Sequence, residues 1–415
     1  MTKTYREKLL TAVKELNIEL PKGKYTKNDD LKKILIQYLG SNEKNKEPDN
    51  SKDKSQKPIA KEPIKPVDNK INIKKSCFPK AKKLVAIGDI HGDLSVAIKA
   101  LKLANVININ ISNNVKNISN IKWTGGDTTV VQLGDQIDRV RPSKLVNDLC
   151  QDNDQQLNQD EGSDLKILCL FEKLHEQAIK VGGALFSILG NHELMNVDGD
   201  FRYVSPKEFR EFGVFFKEPI NKNSKLPYGY ETRKRVFSPG GSLSKKLANS
   251  RYSILQIGSW VFVHGGMTSE VANDYTLDHI NGIIHKWLLG NNSHLLLEHV
   301  NKLYHNEDDS YSPFWSRTFS DIDDWNSQSE QNFNNTLNVL NFKNKRNKNN
   351  EIKGMIVGHS PQFMYNKGLN SACNNRLWRV DVGMSKAFGM DKNSHRKVQI
   401  LVIENDTVFK ILKEQ

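Results

Sequence analysis

Residues 83–93 read KLVAIGDIHGD, in which a short apolar run, Leu84 to Ile87, empties directly into Gly88, Asp89, Ile90, His91, Gly92 and Asp93. Such a run suits a buried strand, and the polar cluster that ends it marks a turn. The next apolar positions, Leu94, Ile98 and Leu101, share one helical face. The unit is strand, loop, helix, with Asp89 and His91 at the turn.

The same arrangement recurs downstream. TTVVQL (128–133) leads into Gly134, Asp135, Gln136, Ile137, Asp138 and Arg139, and Trp123, Gly125, Gly126 and Asp127 before it predict a tight hairpin turn. A helix with Ile167, Leu170, Phe171, Leu174 and Ala178 on one face, stopped by Gly182 and Gly183, feeds a third strand, ALFSIL. That strand ends in Gly190, Asn191, His192 and Glu193; SWVFV delivers His264, Gly265 and Gly266; GMIV delivers Gly358, His359, Ser360 and Pro361. One such end would be a turn capped by polar side chains. Five in one chain point to a site, because α/β folds place their sites at strand carboxyl ends.

Carboxylate, imidazole and amide oxygen are the ligand types that hard and borderline divalent cations accept. No thiolate lies near these motifs, which argues against a closed structural zinc site and for an open dinuclear one. Glu193 reads differently, as a carboxylate at a helix N-terminus that engages free amides.

GDIHGD, GDQIDR, GNHE, HGG and GHSPQ, in that order, resemble the motif series of the calcineurin-like metallophosphoesterases, and within them the phosphoprotein phosphatase branch. PFWSR (313–317) and DVGMS (381–385) are more similar to the bacterial-type, Shewanella-like phosphatases than to the common eukaryotic Ser/Thr enzymes. The resemblance implies an α/β fold, a four-layer α/β/β/α sandwich with two mixed sheets. It also implies that Asp89 and His91 hold one metal ion, that Asn191, His264 and His359 hold the other, and that Asp135 bridges them. The ions would be two divalent or trivalent cations, manganese, iron or zinc. Two cations ~3.5 to 4 Å apart can share a carboxylate and lower the pKa of a trapped water. His192 resembles the family's general acid, with Asp138 orienting its ring. Arg139 and Arg317 are placed to grip phosphate oxygens.

The expected activity is hydrolysis of phosphate monoesters, foremost on phosphoproteins. Val140 stands where the common phosphatases have Gly, and Leu189 where eukaryotic Ser/Thr members have Arg, so the choice among phosphoserine/threonine, phosphotyrosine and small molecules stays open. The alternatives are a diadenosine-tetraphosphatase-like nucleotide hydrolase and a nucleic-acid-tethered binding protein on a phosphatase scaffold.

Working outward, the catalytic domain spans 80–415 of a 415-residue chain that is 37% hydrophobic and 26% charged. Residues 1–40 form two short helical patterns around ELPKGKYT, a small helical module loosely similar to SAP-type DNA-binding units, so DNA or protein is the expected partner there. Residues 41–79 are rich in Lys, Asn and Pro and read as a disordered linker. The first 80 residues hold 20 Lys/Arg against 11 Asp/Glu, a net of +9 out of +13. Residues 151–163 and 326–353 read as polar surface insertions. Four scattered cysteines and the lack of a long apolar run predict a reducing, intracellular setting, cytoplasmic or nuclear, with no membrane association. If the linker reading is right, deleting residues 1–75 leaves the rate on a small aryl phosphate unchanged; loss of that rate would place the segment inside the catalytic fold.

Overall fold

The computed structural model describes residues 75–108, 110, 117–141, 160–306, 308–321, 325–343, 351–389 and 393–415. The module expected at 1–40 and most of the linker expected at 41–79 lie outside them. Within them the apolar runs become strands: β1 (Cys77–Phe78), β2 (Lys83–Ile87), β3 (Thr129–Gln132), β4 (Ala184–Ser187), β5 (Ile254–Ile257), β6 (Trp260–Val263), β7 (Gly354–Val357), β8 (Asn370–Ala372), β9 (Leu377–Arg379), β10 (Gln399–Glu404) and β11 (Val408–Lys413). They make a six-stranded sheet ordered β1-β5-β6-β7-β9-β8 and a five-stranded sheet ordered β11-β10-β2-β3-β4. Strands β2, β3 and β4 run parallel, as do β6, β7 and β9, while β10, β11 and β8 are antiparallel to their neighbours. Both sheets are mixed, as expected.

Period-two alternation sorts the side chains of the six-stranded sheet between two cores. Leu255, Ile257, Trp260, Phe262, Ile356 and Trp378 join one cluster with apolar residues from both faces of the five-stranded sheet, among them Leu84, Val85, Val130, Val131, Leu401 and Ile403. Their alternates, Ile254, Val261, Val263, Met355, Val357 and Leu377, turn the other way into a helical layer. Helices α1 (Leu94–Leu103) and α2 (Asp164–Ala178) cover the five-stranded sheet. The predicted inner faces of both are buried, and Gly182, at φ 84°, ends the turn that follows α2. The chain then adds α3 (Asn191–Asp198), α4 (Pro206–Phe215), α5 (Tyr230–Phe237), α6 (Ser242–Ser250), α7 (Ser269–Asp274), α8 (Leu277–Leu288), α9 (His294–Leu303) and α10 (Ser327–Lys343). The result is the α/β/β/α sandwich. Among the described residues no helix is long and apolar enough to cross a membrane.

Four expectations need correction. Cys77 and Phe78, read as linker, pair in parallel with Gln256 and Ile257, so the folded body begins ahead of residue 80. The turn at 125–128 exists, with Thr128 N–H donating to Gly125 O at 3.1 Å. It is no hairpin, however, because Trp123 bridges to Ile107 while β3 pairs with β2 and β4. Asp160 and Ser163, read as part of a surface insertion, are 7% and 3% exposed, and Asp160 accepts from Ser205 Oγ at 2.6 Å. Most of 326–343, read as insertion, is helix α10, whose Phe333, Leu337 and Leu340 are buried at helical spacing among Asn, Gln and Ser. Phe333 is wholly buried, with its ring 5.4 Å from that of Phe319. Phe333→Ala is expected to cost about 3 to 5 kcal/mol in urea unfolding; a loss below about 1 kcal/mol would make α10 peripheral.

Candidate metal centre

The loop after β2 sits on the loop after β3 through backbone alone. Ile90 and His91 both donate to Asp135 O, at 3.0 and 2.9 Å, and Gly92 donates to Gln136 O at 2.9 Å. Four non-glycine residues of these strand ends have left-handed backbone: His91 (φ 44°), Asp135 (47°), Asp138 (72°) and His359 (69°). Such residues cost roughly 1 to 3 kcal/mol each and persist only where the surroundings dictate them. Close approach of β3 and β4 explains two glycines: a Cβ on Gly134 would come within 2.6 Å of the Gly190 nitrogen, and one on Gly190 would collide with the Asp135 carboxylate.

Glu193 does what its position at the start of α3 predicts and more. Its carboxylate accepts the Gly190 amide at 2.7 Å, and also those of Gln136 and Asp135 at 2.8 and 3.0 Å. One side chain thereby ties the β4 loop to the β3 loop.

Asp89, His91, Asp135, Asn191, His264 and His359 converge, none of them more than 6% exposed. His264 Nε2 lies 2.9 Å from Asn191 Oδ1 and 3.3 Å from Asp135 Oδ1, while His359 Nδ1 lies 3.0 Å from the same Asn191 oxygen. His91 Nε2 is 3.7 Å from Asp135 Oδ2 and 4.0 Å from Asp89 Oδ2. The His264 Nδ1–H donates to Leu133 O at 2.6 Å, which leaves Nε2 free to ligate. Ligand atoms of His91, Asp135 and His192, and likewise of Asp135, His264 and His359, fall within 4.8 Å of one another. Asp135 belongs to both sets.

The electrostatics fit a pair of cations. Among the described residues Asp89 Oδ1, His91 Nδ1, His359 Nε2 and Asp381 Oδ2 are buried without hydrogen-bond partners, an arrangement that costs free energy unless another group meets them. Burial, then the neighbouring Asp381 and Asp135 carboxylates, holds Asp89 well above the usual carboxylate range. Asp381 is pushed up to about 6 by burial, with the Asp135 charge adding to it. Asp135 goes the other way: burial raises it, but the charges of His264 and His192 outweigh that and hold it well below normal. Cations among these carboxylates would relieve the repulsion.

His192 has its Nδ1 2.9 Å from Asp138 Oδ2 and its Nε2 3.8 Å from Asp135 Oδ2, so the far side of the ring faces the ligand cluster. Asp138 also accepts from Asn196 Nδ2, at 2.9 Å to each oxygen, and from Arg233 Nη2 at 3.0 Å.

The arginines divide. Arg317 is exposed, donates to Ser360 Oγ at 3.0 Å and stands beside His359, whose ring burial first and this charge second hold well below its ordinary pKa. Arg139, expected to grip phosphate oxygens, is buried beside the β2 loop. Its Nη1 donates to Gly92 O at 3.0 Å, with the Asp93 and Glu161 carboxylates at 3.5 and 3.6 Å. Arg141, which sequence reading passed over, lies 4.4 Å above the Phe388 ring and 5.5 Å from that of Tyr203. Those rings pack on His91 and His192, at centroid distances of 5.4 and 4.7 Å. Asp381 was also missed as a site residue, yet LWRVDVG shows the same apolar run into Asp and Gly as the other five strand ends. Arg233 and Asn196 carry no such local signal.

A family model described as calcineurin-like phosphoesterase matches residues 82–363. Over 336 residues the chain is 29% identical to Shewanella-like protein phosphatase 2 of Arabidopsis thaliana, covering 74% of this chain and 73% of that one. It is 36% identical over 261 residues to an uncharacterised protein of Acanthamoeba polyphaga mimivirus, 59% of this chain and 98% of the other. Among solved structures, the cold-active protein-tyrosine phosphatase of a psychrophilic Shewanella species superposes with a TM-score of 0.53 at 20% identity, over 82% of this chain and 83% of that one, a likeness of fold. Calorimetric titration with Mn2+ is expected to find two ions; Asp135→Asn weakens both by more than the 10 to 100-fold typical of outer-sphere changes, while His91→Ala weakens one. Full affinity in the Asp135 variant would refute the shared site.

Proposed function

Because the chain belongs to the calcineurin-like phosphoesterase family and is thus a phosphoester hydrolase, we propose that it removes phosphate from protein side chains, using the six converging residues as its metal ligands. Asp89 and His91 would hold one ion, Asn191, His264 and His359 the other, with Asp135 shared. Bound there, manganese, iron or zinc would supply Lewis acidity and an acidified water. The carrying observation is that one carboxylate, Asp135, belongs to two ligand sets and also faces His192 Nε2.

The chain's own groups do the rest. Asp138 accepts from Nδ1 and so fixes the ring with Nε2 toward the cluster, as the nitrogen that would carry the proton. That proton passes to the oxygen of the departing serine, threonine or tyrosine side chain as a water oxygen bonds to phosphorus and the ester bond breaks, leaving inorganic phosphate, the free hydroxyl and a neutral imidazole. Arg317, beside His359, and Arg141, on the rings that pack against His91 and His192, are assigned to the non-bridging phosphate oxygens, where a planar guanidinium can bind two at once. Arg139, engaged by Gly92 O and two carboxylates, is assigned to holding the β2 loop.

His192→Ala is expected to lower kcat roughly 10² to 10³-fold while leaving metal content unchanged, the range for a lost general acid. Rates on phosphoserine, phosphothreonine and phosphotyrosine peptides, run beside a dinucleotide polyphosphate, test the substrate class. Preference for the dinucleotide would overturn the protein-phosphatase reading.

A further inference from the structure

Helix α5 contains three consecutive basic residues, Arg233, Lys234 and Arg235, and the first of them points inward to full burial while the others are exposed. Its guanidinium lies 4.6 Å from the Phe212 ring and 5.2 Å from that of Phe237. Nη2 reaches Asp138 Oδ1 at 3.0 Å and Asp164 Oδ2 at 2.8 Å, while Nε donates to Asn196 Oδ1 at 2.7 Å. Asn196 in turn donates to both Asp138 oxygens and to His192 O, at 2.9 Å each. Asp138 is thus held by Arg233 and Asn196 on one side and presents Oδ2 to His192 Nδ1 on the other.

We propose that Arg233 is the positioning residue of the proton donor: with Asn196 it locks the Asp138 carboxylate in the one orientation that aims His192 Nε2 at the leaving oxygen. The inference rests on the general-acid reading above. The side chains Arg233 engages, Asp138, Asn196 and Asp164, are none of the six proposed ligands, and two of them hold the proton donor's carboxylate partner in place or are that partner. A buried guanidinium that served only the fold would leave that step untouched once the protein had folded.

The experiment uses the full-length, metal-loaded enzyme and a series of aryl phosphates whose leaving phenols span a wide range of acidity. A poor leaving group needs the proton and a good one does not. Arg233→Lys keeps the buried charge, and with it the fold, yet a single ammonium cannot serve Asp138, Asp164 and Asn196 in the same geometry. For this variant kcat is expected to fall roughly 10 to 100-fold on phenyl phosphate and less than about threefold on 2,4-dinitrophenyl phosphate, with KM unchanged, a fraction of the range open to general-acid catalysis. Arg233→Gln, where its melting curve shows a folded protein, deepens the same pattern. Equal losses on every substrate, or none, would overturn the inference. His192→Ala, run in parallel, separates the two claims: if it shows no dependence on the leaving group, the general acid itself is misassigned; if it does and Arg233→Lys does not, this inference alone fails.

Discussion

One buried carboxylate organises the metal centre. Glu193 accepts amides from Gly190, Asp135 and Gln136, and so clamps the loops after two neighbouring parallel strands to each other. Hydrogen bonds from buried amides to a charged acceptor are among the stronger ones available, and leaving the amides unmatched would be costly. The clamp fixes the left-handed turn at Asp135, which in turn receives the amides of Ile90 and His91 from the third loop. Parallel strands of one sheet deliver three loops to one end, and Glu193 sets the spacing among them.

Charge balance is the second constraint. Asp89, Asp135, Asp381 and Glu193 are all buried in one small volume, with burial opposing the charged form of each. The protein answers this repulsion in two ways. Around Asp135 it supplies imidazoles, and around the farther group of Asp138 and Asp164 it supplies a fully buried arginine braced between two phenylalanine rings. Asp89 and Asp381 stand among the proposed ligands, where cations are the natural counter-charge. The same division separates a region that would bind ions from the one behind it that orients a proton donor.

Where the sequence was legible, the reason is local periodicity. An apolar run that ends in Asp, Asn or His beside Gly describes a buried strand and the turn at its tip within a few residues, and the metal-ligand candidates all sit on such tips. Asp381 bears the same mark at the end of LWRV. Helix α10 escaped notice because Asn, Gln and Ser surround its buried Phe333, Leu337 and Leu340, although their spacing of four and three is helical. The turn before β3 looked like a hairpin because turn residues do not reveal which strands will pair on either side of them.

Residue order alone established the strand-loop-helix units, the chemistry collected at their ends, and through motif resemblance the family to which the chain belongs. It could not say what packs against each arginine. Arg139 occupies the motif position, but Gly92 O and two carboxylates from distant segments engage it, and Arg141 instead rests on Phe388 and Tyr203, which come from elsewhere in the chain. Nor could it find Arg233, 95 positions from the Asp138 it braces. A strand and its turn are settled by neighbours in the chain, whereas the partner of a buried charge is settled by whichever segments packing brings against it.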